Sequence, residues 1–285
     1  MRTRAIGAVP VSAIGLGAMP MSVEGHMPDE AQSIRTILAA LDAGVTLIDT
    51  ADAYTPDHTE MGHNERLVAA ALSQWGGDRD SVLVATKGGH TRTPGGGWGR
   101  NGRPEYIKAA CERSLKALGV DAIGLYQHHR PDPAVPYEET IGALRDLLDE
   151  GKIRMAGISN ADPAQIGLAN DILGGRLASV QNEFSPRFRS SRRELALCGE
   201  LNIAFLPWSP LGGIGAAGSL GSRHAAFAEV AATRGVSPYQ VCLAWELATS
   251  PVVIPIPGAS RPESILDSVG AADLVLTADE LAALG

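Results

Sequence analysis

Asp49, Tyr54, Lys87 and His129 are of types that together can move a proton. An unperturbed phenol titrates near ~10, so at neutral pH Tyr54 holds a proton it can give. A lysine ammonium beside it favours the phenolate, and Lys87 is expected to lower that value. An enclosed ammonium needs a counter-charge, which Asp49 can supply. His129 can polarise a substrate oxygen by a hydrogen bond. This set suits protonation of a carbonyl oxygen while hydride reaches its carbon, and the reverse. General-acid help of this kind is typically worth ~10²–10⁴-fold in rate. Any one of these residues alone could equally be a strand-end polar group bonded to a loop. Several ionisable groups at successive strand ends are harder to explain that way, because burying them together costs energy unless they pair.

The elements that must position these groups alternate along the chain. Short β-rich runs are predicted as strands at residues 14–18, 46–49, 82–86, 123–128, 153–158, 179–183, 203–208 and 252–256. Several are near-continuously apolar, as strands buried on both faces are. Helical stripes lie between them. One is Ile34, Ile37, Leu38 and Leu41, stopped by Gly44. Another is Ile107, Cys111, Leu115 and Leu118, between Pro104 and Gly119, and a third is Ile141, Leu144, Leu147 and Leu148 before Gly151. Eight strand–helix units in 285 residues point to an α/β fold of the closed (β/α)8 TIM-barrel type, one domain over residues 1–285. An open dinucleotide-binding sheet is the rival. Its glycine fingerprint should follow the first strand, where Gly15-Leu-Gly-Ala-Met-Pro20 lacks the third glycine and opens no helix. Residues 4–6 and 9–12 flank Gly7-Ala8 and read as a hairpin plugging the barrel floor.

Barrel enzymes carry their chemistry where strands end. Asp49, Lys87, His128-His129, Ser159-Asn160, Gln181-Asn-Glu183 and Trp208-Ser209 fall at those ends, with Tyr54 five residues beyond Asp49. Strand alternation sends His128 and His129 to opposite faces. The stretch Gly97-Trp-Gly-Arg-Asn-Gly102 formally matches the dinucleotide glycine pattern, but it lies well past its strand and leads to Pro104. It is expected to be a mobile loop over the mouth, with Trp98 reaching substrate.

Composition narrows the partners. A net charge of −8 and a pI near 5.4 argue against nucleic acid. Cys111, Cys198 and Cys242 are odd in number and far apart, which suits reduced thiols in a cytoplasmic protein and no metal. The start has no apolar signal core, and no run is long enough for a membrane span. The expected partner is a small-molecule carbonyl, bound by a monomer or weak homo-oligomer.

The chain resembles an aldo-keto reductase over nearly its whole length. The resemblance rests on Gly44-Val-Thr-Leu-Ile-Asp-Thr-Ala-Asp-Ala-Tyr54, Val84-Ala-Thr-Lys87, Leu125-Tyr-Gln-His-His-Arg-Pro-Asp-Pro133, Ala156-Gly-Ile-Ser-Asn160, Val180-Gln-Asn182 and Pro255-Ile-Pro-Gly258. Residues 181–184 and 203–213 are also similar to pyridoxal-type reductases, for which net alcohol oxidation is the alternative direction. The resemblance implies a nicotinamide cofactor held without a Rossmann domain, with the catalytic tetrad on Asp49, Tyr54, Lys87 and His129. It places cofactor contacts on Ala18, Met19 and Asp49, and nicotinamide-amide contacts on Ser159, Asn160 and Gln181. Trp208 is the stacking aromatic, and Ser209, Pro210, Leu211 and Gly213 belong to the pyrophosphate loop. Adenosine-phosphate contacts fall between Gly258 and Ser268. There Ser260 and Arg261 are placed to meet a 2′-phosphate, which favours NADPH, with NADH the alternative. Ser264 stands where many relatives carry a second arginine, and Asp267-Ser268 where they carry Glu-Asn. The chain stops at Gly285, so the site is expected to be open and built from loops near Met19, Trp98 and residues 212–221. A cofactor-sensing subunit with little turnover is the competing function, and a complete tetrad argues against it.

Overall fold

The computed structural model describes residues 1–23, 27–213 and 217–285. Strands β1 (Thr3–Ile6) and β2 (Val9–Ser12) form an antiparallel hairpin turned at Gly7, whose φ of 56° suits glycine. Next come β3 (Leu16–Gly17), β4 (Leu47–Asp49), β5 (Leu83–Gly88), the short pair β6 (His90–Arg92) and β7 (Trp98–Arg100), then β8 (Ile123–His128), β9 (Ile153–Ser159), β10 (Leu177–Gln181) and β11 (Ala204–Phe205). β3, β4, β5, β8, β9, β10 and β11 are parallel neighbours in that order.

The eighth expected strand, at 252–256, is not a regular strand, yet it closes the ring. Neighbouring residues of a parallel strand direct their N–H and C=O to opposite partners. Ile254 and Ile256 donate to the Phe205 and Pro207 carbonyls at 2.9 and 3.4 Å. Pro255 and Pro257 face the other way and can only accept, taking the Gly15 and Gly17 amides, each at 2.9 Å. Prolines at alternate positions remove the donors on one side, so the ladder is thinned without being broken. Gly17 and Gly258 also bridge in parallel. A Cβ on Gly17 would lie 2.8 Å from the Ile256 carbonyl oxygen, so the seam requires glycine there.

Inside the ring, Leu47, Ala85, Leu125, Leu206 and Ile254 form a cluster that the hairpin completes with Ile6 and Val11, as expected of a floor plug. Outside it, Ile48, Tyr126 and Ile158 pack on helices through Ile37, Ile107 and Ile141. The helix stops are where the glycines predicted them: Gly44, Gly119 and Gly151 have φ of 87°, 68° and 72°. The stretch expected as a loop at 97–102 is instead partly strand. Trp98 pairs with Arg92 and Arg100 with His90, so β6 and β7 stand as a second hairpin over the mouth. No helix among the described residues is long and apolar enough to cross a membrane.

Candidate active site

The two-residue period of the strands sets the inventory of the barrel interior. Leu47 faces inward and Ile48 outward, so Asp49 faces inward. The same count carries Ala85 to Lys87, and Leu125 to Gln127 and on to His129. In β10 the register shifts between Leu177 and Ser179, after which Ser179 and Gln181 both point in. Tyr54 lies on the loop after β4. That loop is tied down by Thr50 N–H to the Ala85 carbonyl (2.8 Å), Asp52 N–H to the Lys87 carbonyl (3.1 Å) and Asn64 N–H to the Tyr54 carbonyl (3.2 Å).

These groups converge. Lys87 is fully buried, and its Nζ donates to Asp49 Oδ1 at 2.6 Å, the Thr50 carbonyl at 2.8 Å and the Tyr54 hydroxyl at 3.2 Å. Asp49 Oδ2 accepts from Gln181 Nε2 at 2.8 Å. The His129 ring stands edge-on to Tyr54, with centroids 5.6 Å apart. His128 points outward against Tyr137, as strand alternation requires.

Protonation follows from burial and charge together. Burial alone would lower the Lys87 pKa, but the adjoining carboxylate of Asp49 and the Tyr54 hydroxyl outweigh it and hold the ammonium. Burial raises the Tyr54 pKa, and Lys87 opposes this without reversing it. The sequence led us to expect a lowered phenol. The structure corrects this, because enclosure of the phenol outweighs the field of Lys87, which Asp49 offsets in part. His129 is held well below the usual imidazole range, first by burial and then by Lys87, His90 and Arg130, so it is neutral at pH 7. Burial likewise brings His128 down to about 4.

Tyr54 and His129 open onto a cavity of about 800 Å³ at the carboxyl ends of the strands. Met19, Asp49, Ser159, Asn160 and Gln181 line it, followed by Trp208, Ser209, Pro210, Leu211 and Gly213, then Gly258, Ser260, Arg261 and Ser264. Ala18 does not. It is fully buried behind the wall, its N–H on the Asp49 carbonyl and its own carbonyl taking Asn64 Nδ2, each at 2.9 Å. Lys87 lies behind Tyr54 rather than on the wall. Asp267 is turned away, accepting from Ser237 and Gln240 at 2.6 and 2.7 Å, and Ser268 is buried on the Ser264 carbonyl. Of the expected loop at 212–221, residues 214–216 lie outside the described residues, and Ala217 reaches the cavity.

Sequence reasoning missed His90, Arg100 and Arg130 on this wall. His90 stacks on Trp98 (4.7 Å between centroids) and meets His129 edge-on at the same distance. The available signals were that Arg130 directly follows His129 and that Arg100 lies inside the glycine stretch beside Trp98.

A parallel barrel with a buried lysine–carboxylate pair behind a cavity-facing tyrosine, and a neutral histidine beside it, is the arrangement of a barrel oxidoreductase. The chain matches the Aldo/keto reductase family over residues 13–285. It belongs to that family. A Schizosaccharomyces pombe protein named as an uncharacterized oxidoreductase is 32% identical over 282 residues, covering 98% of this chain and 87% of that protein. Among solved structures, a glycerol dehydrogenase from Gluconobacter oxydans superposes with a TM-score of 0.86 at 28% identity, covering 99% of this chain and 93% of that one. An aldo/keto reductase from Klebsiella pneumoniae, solved with NADP and acetate, gives 0.81 at 28% identity with the same coverages.

Proposed function

We propose that the protein reduces an aldehyde or ketone to the alcohol, with NADPH as reductant and Tyr54 as proton donor, and that the same site runs the reverse oxidation. The observation that carries this is the Tyr54 hydroxyl, kept protonated by burial, on the wall of the cavity with neutral His129 beside it and the Lys87–Asp49 pair behind.

The wall suits a dinucleotide. Gln181 Nε2 is committed to Asp49, and Asn160 Nδ2 to Ser159 Oγ and the His129 carbonyl, at 2.8, 2.9 and 3.1 Å. Both amide oxygens accept nothing among the described residues and match the NH₂ of a carboxamide. Trp208 offers a ring face, and its buried Nε1 has no partner among the described residues. Gly213, with a φ of 95°, lets backbone approach a phosphate. Arg261 stands at the N-cap position of the helix Pro262–Gly270, and among the described residues its side chain bonds only to Ser264 Oγ, at 3.0 Å. A guanidinium with donors to spare at a helix N-terminus suits a 2′-phosphate, which supports NADPH over NADH. A solved relative, the Klebsiella pneumoniae enzyme, is described with NADP.

When bound, the reduced nicotinamide supplies hydride to the carbonyl carbon. The chain's own residues do the rest. The N–H of neutral His129 has no hydrogen-bond partner among the described residues and is available to a carbonyl oxygen. Tyr54 gives its proton to that oxygen, and Lys87, anchored by Asp49, stabilises the phenolate left behind. The test is loss of reduced-cofactor absorbance with a panel of aldehydes, on wild type and Tyr54→Phe. Full activity in the variant would refute the role of Tyr54, and tight cofactor binding without turnover of any carbonyl would refute the reaction.

A further inference from the structure

The barrel order separates two sets of cations. Counting the closing segment as eighth, Arg100 follows the third strand, β5, and Arg130 follows the fourth, β8. The cofactor-suited segments, Trp208–Gly213 by sequence and Arg261, follow the seventh and eighth. In a ring of eight, third and fourth lie across from seventh and eighth. The Arg100–Arg130 side of the cavity is therefore the side beyond Tyr54 and His129, away from the groups that suit a dinucleotide.

Neither arginine has an ion-pair partner among the described residues. Among those residues Arg100 donates only to the Pro131 carbonyl, at 3.3 Å, which brings it beside Arg130. Arg130 Nε is buried without a partner. Asp49 is the one carboxylate among the described residues of the wall, and it is spent on Lys87. Asp132 is engaged by the Gly102 and Ala134 amides, and Glu183 lies off the wall. Burial and then the nearby Arg100 depress the Arg130 pKa, and the field of Glu183 opposes this without reversing it. On a chain of net charge −8, two adjacent unpaired guanidinium groups at the mouth are not general surface character. The remaining wall there is the His90–Trp98 stack, with the Arg92 guanidinium 4.2 Å from the Trp98 ring centre.

We infer that Arg100 and Arg130 form an anion subsite, and that the preferred carbonyl substrates carry a carboxylate or phosphate group that docks there while the carbonyl faces Tyr54 and His129. The inference rests on the carbonyl-reductase reading above and deepens it. Charge-assisted hydrogen bonds of guanidinium to carboxylate or phosphate are strong enough for a preference of roughly 10- to 100-fold.

Matched pairs test it with NADPH: para-carboxybenzaldehyde against benzaldehyde, and glyceraldehyde phosphate against glyceraldehyde. Wild type should show a kcat/KM ratio of about 10 or more in at least one pair, and the pair that shows it identifies the anion. In the double variant Arg100→Gln/Arg130→Gln that ratio should collapse toward one, mainly through KM. Ratios near one in both wild-type pairs, or a ratio the double variant leaves intact, would overturn the anion subsite while leaving carbonyl reduction standing. Calorimetric binding of the corresponding alcohols to the NADPH-loaded protein covers the case of no turnover. A carboxylate or phosphate preference lost in the double variant then upholds the subsite even as the reductase reading fails, and equal binding overturns both.

Discussion

The Lys87 ammonium lies 3.2 Å from the Tyr54 hydroxyl but 2.6 Å from Asp49 Oδ1, so the lysine serves the carboxylate first and the phenol second. The phenol is enclosed, and its pKa is raised rather than lowered. The acid form is the one that reduces a carbonyl. It is present below its pKa and lost as pH rises through it. Carbonyl reduction should therefore hold level from about pH 6 to 9 and fall only on an alkaline limb above the ordinary phenol value near ~10. A kcat/KM profile that fell between pH 7 and 9 would contradict this. Tyr54→Phe should lose ~10²–10⁴-fold in kcat.

The Lys87–Asp49 pair is buried, so removing one partner leaves the other uncompensated. Asp49→Asn should cost about 3–5 kcal/mol of stability, read from urea unfolding. Lys87→Met alone should be similarly damaging. The double change should cost less than the sum of the two, because it leaves no lone charge. Additive losses would show that the pair is not coupled.

His129 faces the cavity and His128 the helix layer. His129→Ala should lower kcat by ~10²-fold or more, and His128→Ala by less.

Acid should expose the buried imidazoles. The His128 pKa is about 4 in the fold against an ordinary 6.5, so the unfolded chain binds the extra proton between those values. Its contribution is full above pH 6.5 and is lost as pH falls to about 4, up to about 3 kcal/mol. His90, brought down to about 4, and His129 act in the same direction. Urea midpoints should drop from pH 7 to pH 5, with a shallower drop in His128→Leu.

Among the described residues the Arg261 side chain makes one hydrogen bond, to Ser264. Arg261→Ala should raise KM for NADPH about tenfold and change KM for NADH by less than about threefold. Equal changes for the two cofactors would remove Arg261 from a 2′-phosphate site.

Much of this protein was determined locally and could be read from the sequence. Apolar stripes ended by Gly44, Gly119 and Gly151 set the helices, because a left-handed stop is a property of one residue. Asp49, Lys87 and His129 could be placed at strand ends because the strand period fixes which face each side chain takes. The closing segment was misjudged as a regular strand because Pro255 and Pro257 give up donors that only the neighbouring strands reveal as missing. The β6–β7 hairpin was missed because its pairing joins glycine-rich residues with no alternation to read. The protonation of Tyr54 and the meeting of Arg100 with Arg130 were decided by tertiary structure alone. A field at a barrel mouth is summed over loops from separate strands, and burial depends on all of them, so no stretch of sequence contains it.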